Sequence, residues 1–325
     1  MLKYILMRLL MMIPVVLGVV IVVFFILRMS PACPIRIALG DLATQEEVDN
    51  MRDEMGLNDP VAVQLANYLG GIILRGDFGV SYTTRRPVLD ELIVRLPPTI
   101  SLAVMSTLLA ALIGIPFGII SAIKQYSFFD RVLTVSSLTF LAMPTFWVGL
   151  MFIIIFSLNL RWLPASGWMG PRFWVLPVLA VGTGLVAGIM RITRSSMLET
   201  IRQDYIRTAR AKGQSEFVII TKHALRNAII PTVTLIGLQF GRQLGGAFVV
   251  ESVFAIPGLG QLLVDASSIN NIPVVQGGVI FVAVIFSFIN LAVDILYGII
   301  DPRFSSLYKT KKRKSRKEDG GAKSE

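Results

Sequence analysis

The chain has 325 residues, of which 54% are hydrophobic and 16% charged, and its formal net charge is +10. A water-soluble domain of this size carries about 25% charged residues, so the composition excludes an ordinary soluble fold and directs attention to stretches of about 20 apolar residues, enough to cross about 30 Å of hydrocarbon. The positive charge does not point to nucleic acid, because the cations are spread over loops beside apolar stretches and no nucleic-acid fold signature accompanies them.

Six such stretches follow in chain order: Leu9–Leu27, Ile100–Ile123, Val132–Leu160, Phe173–Met190, Ala228–Val250 and Val274–Ile300. Strands of a barrel need only about 10 alternating residues, so these runs predict helices with their backbone hydrogen bonds closed internally. The predicted fold is all-α, a polytopic membrane protein with six transmembrane helices. The chain then divides into an N-terminal span (1–28), a loop with short helices (29–99), a five-helix core (100–300) that includes the basic loop 191–227, and a basic tail (301–325).

The first span ends near Ser30-Pro31-Ala32, which resembles a small-residue cleavage site, but its apolar core of 19 residues exceeds the usual 7–15 of a signal peptide, and a retained span is expected. Cys33, the sole cysteine, excludes an internal disulfide. In the loop that follows, Thr44-x-x-Glu47 is a capping box with Gly56 placed to end its helix. A second helix is predicted after Asp59-Pro60, with Val61, Leu65, Tyr68, Leu69 and Ile72 at helical spacing. It is suited to the membrane surface, to a docked partner or to packing on the chain's own spans.

Orientation comes from the Lys and Arg distribution. With the N-terminus, the second and fourth loops and the tail on one side, that side holds 21 of the 31 basic residues, which the positive-inside rule makes cytoplasmic. The tail is then expected to be a disordered run, either held near anionic headgroups or simply a solvated segment that fixes the orientation.

The fourth loop, YIRTARAKGQSEFVIITKHALRNAIIP (205–231), predicts two short helices parted by Gly213, which suits a C′ position, with Ser215 and Glu216 starting the second. Tyr205, Ile206 and Ala209 are expected on one face and Arg207, Arg210 and Lys212 on another; Phe217, Ile220, Ala224 and Leu225 repeat the apolar face. Such helices lie along a membrane interface or dock into a protein groove. Within the fifth span, Arg242 is costly in hydrocarbon and therefore a functional candidate. Beside Gln239, Gln243 and several glycines it could meet an anionic part of a cargo or fix a helix–helix contact. Gly237, Gly241 and Gly245 form a small-residue face suited to packing on a counterpart subunit, and Gly182, Gly184 and Gly188 one suited to close packing in the fourth span. Asp294, in the sixth span, is expected as a local anchor. No phosphate-cradling GxxxxGK[ST] occurs, and a single histidine, His223, excludes HExxH zinc chemistry. Enzymatic function is not expected.

DYIRTARAKGQSEF followed by HALRNAIIP resembles the cytoplasmic coupling loop of permease subunits of binding-protein-dependent ABC importers, in the dipeptide/oligopeptide/nickel branch. GLNDPVAVQLANYLGGIILRGDFGVSY, RLPPTISLA, GGAFVVESVFAIPGLGQLL, IPVVQGGVI and NLAVDILYGIIDPR also resemble that branch's first permease subunit. The likeness spans nearly the whole chain except the tail. Of the general pattern EAA-x3-G-x9-I-x-LP only Ala209, Gly213 and Leu225 match, whereas RTARAKG is the peptide-branch form. Asn271-Ile272 replaces an acidic residue and an aromatic before Pro273.

The resemblance implies a type I ABC importer permease fold and an import subunit for di- or oligopeptides, with nickel chelates or glutathione as alternative cargo and an ion-coupled secondary transporter as the rival class. It implies coupling to an ATPase through Asp204, Tyr205, Arg207, Thr208, Ala209, Arg210, Lys212, Gly213 and Glu216. Gln239, Arg242 and Glu251 are candidates for the translocation pathway or gate. No cofactor is expected on this chain, ATP and Mg belonging to partner subunits. The expected partners are a second homologous permease, two ATP-binding subunits, an external substrate-binding protein docked over loops 29–99 and 251–273, and membrane lipid, with no nucleic acid.

Overall fold

Two long helices crossing the middle of the chain organise the rest. The computed structural model describes residues 2–28, 39, 44–54 and 56–300; Cys33 and the basic tail lie outside them, as does the Asp294 side chain. Every extended element among the described residues is helical, the one exception being an isolated bridge between Val80 and Pro87.

The helices are α1 (Leu2–Arg28), α2 (Gln45–Glu54), α3 (Val61–Gly70, prolonged by a wider π turn at Gly71–Arg75), α4 (Val88–Ile123), α5 (Phe128–Ala142), α6 (Thr145–Phe152, prolonged at Ile153–Asn159), α7 (Pro171–Ile201), α8 (Asp204–Ala211), α9 (Glu216–Val218, running through a π segment, Ile219–Ala224, into α10), α10 (Leu225–Gly246), α11 (Phe248–Val253), α12 (Leu259–Ser268) and α13 (Ile272–Ile300). By length and composition α1, α4, α7 and α13 can each cross a bilayer, and α5 with α6 makes a fifth span if the bent pair counts as one. The expected fifth span coincides with α10, whose Gln239, Arg242 and Gln243 dilute its apolar character.

The expected span Val132–Leu160 is not one straight helix. α5 and α6 meet at 103°, because Pro144 has no N–H to continue the ladder and drives the residue before it out of the helical region; Met143 has φ −82° and ψ 131°. α4, by contrast, starts at Val88, twelve residues before the expected Ile100, and carries Pro97 and Pro98 inside it.

α4 and α7 form the largest helix pair. Small residues set their closeness: a Cβ at Gly118 would come within 2.7 Å of the Met190 carbonyl oxygen and 2.6 Å of the Thr193 Cβ. Three apolar clusters follow one another along α4. Val88 and Leu92 pack with Leu259, Ala266 and Val274 at one end. Leu102 and Ala110 meet Leu176, Leu185, Ile189 and Phe254 in the middle. Ala122 meets Met197, Ile206, Ile219 and Ala228 at the other end.

Of the glycines expected to bring helices close, Gly182 lies against Leu109, its Cβ position 2.9 Å from Leu109 Cδ2, while Gly184 and Gly188 have nothing within 4 Å. The face Gly237, Gly241, Gly245 is not wholly free for a counterpart subunit. Gly237 and Gly241 pack on α13 of the same chain, against Val293 and Phe286, while Gly245 stays exposed with only Val282 nearby.

The capping box forms, Thr44 N donating to Glu47 Oε2 at 2.9 Å. α3 turns Leu65, Tyr68 and Leu69 inward and rests on the first span through Tyr68 and Phe24, whose ring centroids are 6.2 Å apart. Ile73 and Leu74 beyond it remain exposed.

Candidate functional site

The basic segment starts where α7 ends. α8 has Asp204 in its first turn and Arg210 in its last, signs that complement the helix dipole. Gly213, at φ 78°, occupies the left-handed region that only glycine enters without penalty, and its N–H donates to the Arg210 carbonyl at 2.9 Å. Ser215 then stands at the N-cap position of α9 and Glu216 in its first turn. Across the turn, Arg210 Nε donates to Glu216 Oε1 at 2.6 Å and Arg210 Nη2 to Glu216 Oε2 at 3.1 Å. This two-point pair holds the Glu216 carboxyl below its ordinary range. His223 Nε2 and Gln214 Oε1, 2.7 Å apart, add a second tie.

Ile206 and Ala209, three residues apart, are the inward stripe of α8, buried with Ile219 and Ala224 against Ala122 and Met197. The remaining expected coupling residues, Asp204, Tyr205, Arg207, Thr208, Arg210, Lys212, Gly213 and Glu216, are all exposed. Two expected apolar positions are corrected. Tyr205 lies one helical step, about 100°, off the inward stripe, and its hydroxyl accepts from Asn227 Nδ2 at 2.8 Å. Phe217 is 75% exposed. The segment is therefore an ordered protrusion, seated on the bundle by one stripe and leaving two aromatic rings and several cations exposed around it. That combination fits a protein groove.

The three pathway candidates do not share one environment. Gln239 is half-buried and Arg242 exposed. Glu251 is fully buried, its carboxylate turned into the fold: Oε1 accepts from Thr99 Oγ1 at 2.7 Å, and Oε2 from the backbone N–H groups of Gly260 at 2.7 Å and Gln261 at 3.2 Å. The latter two lie in the first turn of α12, where a helix offers unpaired donors and positive potential. Thr99 Oγ1 in turn accepts from Leu259 N at 2.9 Å. A Cβ at Gly258 would overlap this carboxylate, which accounts for the glycines of IPGLG.

Three polar contacts escaped the sequence reading. Asp130, at the start of α5, is buried and takes a two-point contact from Arg194 of α7, Nε to Oδ1 at 2.7 Å and Nη2 to Oδ2 at 2.9 Å, with Ser121 of α4 donating to the same carboxylate. Inside the bundle, Gln243 of α10 accepts from Ser106 at 2.7 Å and donates to Thr107 at 2.8 Å, both on α4. Thr193 and Thr232 join α7 to α10 at 3.1 Å. Apart from Ser121 and Asp130, these partners lie more than thirty residues apart and leave no spacing signal. The available hint was that each polar group sits within or beside an apolar run.

Two family models cover the chain. Residues 114–306 match the binding-protein-dependent transport system inner membrane component, and residues 1–103 match the N-terminal part of such membrane components. The dipeptide transport system permease protein DppB of Alkalihalophilus pseudofirmus is 40% identical over 93% of this chain and 99% of its own length. The glutathione transport system permease protein GsiC of Salmonella typhimurium is 42% identical over 93% and 98%, and the oligopeptide transport system permease protein AppB of Bacillus subtilis 41% over 92% and 98%. Among solved structures, a chain of the MetNI methionine ABC transporter in an inward-facing conformation superposes with a TM-score of 0.57 at 18% identity, over 66% of this chain and 97% of that one. This is the fold of the ABC importer permeases. The chain therefore belongs to the binding-protein-dependent transport system inner membrane components, the multi-pass permease subunits of ABC importers.

Proposed function

We propose that this chain is one half of the translocation pathway of an ATP-driven importer of di- or oligopeptides. Its N- and C-termini and the α8–α9 protrusion face the cytoplasm, as the distribution of basic residues favours. The protrusion seats in a groove of an ATP-binding subunit, and ATP-driven closure of two such subunits reaches the spans through Ile206, Ala209 and Ile219. A second, homologous permease completes the pathway, and an external binding protein delivers cargo over residues 29–99 and 251–273. ATP and Mg are held by the ATP-binding subunits and no cofactor by this chain, which supplies motion and not chemistry.

The observation that carries this reading is the protrusion itself. It is ordered by its own Arg210–Glu216 pair, anchored by a buried apolar stripe, and leaves Tyr205, Arg207, Lys212 and Phe217 exposed. A segment designed only for a lipid interface would turn its aromatic rings and its apolar stripe the same way; here Tyr205 and Phe217 lie off the buried stripe and are exposed. Peptide cargo is favoured by the names of the relatives, two for peptides and one for glutathione, itself a peptide. On this reading Glu251 serves the gate as a strut beneath the external corner.

The test is uptake of a labelled dipeptide, and separately of glutathione, into proteoliposomes holding the complete complex. Accumulation that needs ATP and survives an ionophore is expected. Uptake abolished by the ionophore and indifferent to ATP would replace this reading with an ion-coupled transporter.

A further inference from the structure

α10 packs on α7, α13 and α4, and these neighbours leave one side of it uncovered. Pro231, Leu238, Arg242 and Gly245 are exposed, and their steps of seven, four and three residues place them in one stripe along the helix. Leu238 is 47% exposed. Several polar groups of the bundle are paired internally: Gln243 with Ser106 and Thr107, Thr193 with Thr232, Glu251 with Thr99 and the start of α12, Asp130 with Arg194. Arg242 makes no hydrogen bond or ion pair with any described residue.

A guanidinium within a span does not face lipid without cost, about 2.5–3.5 kcal/mol on insertion scales, so the stripe borders a water-filled or protein-lined space. Gly245, one turn on, is exposed and adds no side chain, leaving the guanidinium room to move. Arg242 stands 17 residues after Leu225, about 26 Å along a helix of about 33 Å, toward the end remote from α8. In the single chain the guanidinium has space around it and an unused charge.

We propose that Arg242 binds a carboxylate of the cargo as it enters the pathway. The inference rests on the importer reading above and deepens it. Every linear peptide with a free C-terminus carries such a group, and so does glutathione; a planar guanidinium recognises it with two parallel hydrogen bonds, which an ammonium cannot reproduce. The residue thereby favours cargo with a free carboxylate over the same cargo capped as an amide, independently of what the external receptor selects.

The experiment compares ATP-driven uptake of a tripeptide and of its C-terminal amide, each at a concentration that saturates the receptor, by proteoliposomes holding the complete complex. Wild type is expected to prefer the acid. Arg242→Ala and Arg242→Gln should lower the acid-to-amide uptake ratio about tenfold, and Arg242→Lys should restore part of it; co-purification of all subunits with each variant monitors assembly. An unchanged ratio would overturn the proposal, as would equal loss of both peptides or loss of assembly in the Ala, Gln and Lys variants alike, which would mark a packing residue. If the wild-type complex shows no ATP-driven uptake of either peptide, the importer reading fails first and this inference with it.

Discussion

Gly213 shows how one backbone angle can be separated from the space around it. Its φ of 78° costs an L-residue about 1–2 kcal/mol, and more for a β-branched one, yet nothing lies within 4 Å of where a Cβ would stand. Gly213→Val should therefore uncouple ATP hydrolysis from uptake by distorting the α8–α9 turn, while Gly213→Asn, which tolerates the left-handed region, should retain most coupling. Equal effects of the two, measured as uptake per ATP hydrolysed, would show that volume and not conformation matters there. Gly213 was legible in the sequence because a C′ glycine between two helix patterns has a local signature. The Tyr205 hydroxyl bonded to Asn227 was not, since a one-residue rotation on a short helix decides which side chain turns inward and the apolar character of tyrosine points either way. Glu251 likewise read as a gate-lining acid because sequence places it at the end of a span; its burial depends on the return of α12, nine residues later, to offer backbone donors.

At the scale of elements, the α4–α7 pair decides the rigidity of the bundle. Gly118→Val should destabilise the detergent-solubilised complex by about 1–3 kcal/mol, the usual cost of overpacking, because the Thr193 side chain and the Met190 carbonyl leave no room. Gly184→Ala, with nothing within 4 Å of its Cβ position, should be neutral or mildly stabilising through helix propensity. Thermal unfolding of the two variants side by side checks this, and a Gly118→Val complex as stable as wild type would contradict it. The positions of the apolar helices followed from hydropathy, which is local. Their shape did not: Pro144 breaks the third expected span at 103°, although Pro97, Pro98 and Pro116 sit inside α4 without ending it. Composition alone cannot separate these cases, since tertiary packing decides whether the freed carbonyls find other partners. The stripe Gly237, Gly241, Gly245 was recognisable as a packing face, but nothing in it told an intramolecular partner from a second subunit.

Over the whole molecule, three apolar clusters succeed one another along α4, from the α12 corner, through Leu102 and Ala110, to Ala122 beneath α8. On the proposed reading, a push on the α8–α9 protrusion meets one helix of 36 residues that holds Thr99, in its first third, against Glu251, and this would give an ATP-driven movement a physical route across the bundle. The overall class was readable from composition and spacing, and the family from the loop 204–231. The polar ties that join α4, α5, α7 and α10 link residues far apart in the chain and required the fold. The central claim is that the protrusion sits in an ATP-binding subunit. It is tested most directly by introducing a single cysteine, Thr208→Cys in a Cys33→Ser background, into the complete, transporting complex and treating it with a short cross-linker that joins that thiol to a nearby amine. A covalent adduct with the ATP-binding subunit, formed at a rate that changes when ATP is bound, is the predicted result; an active complex in which position 208 couples only within the permease, or to no protein at all, would contradict the account.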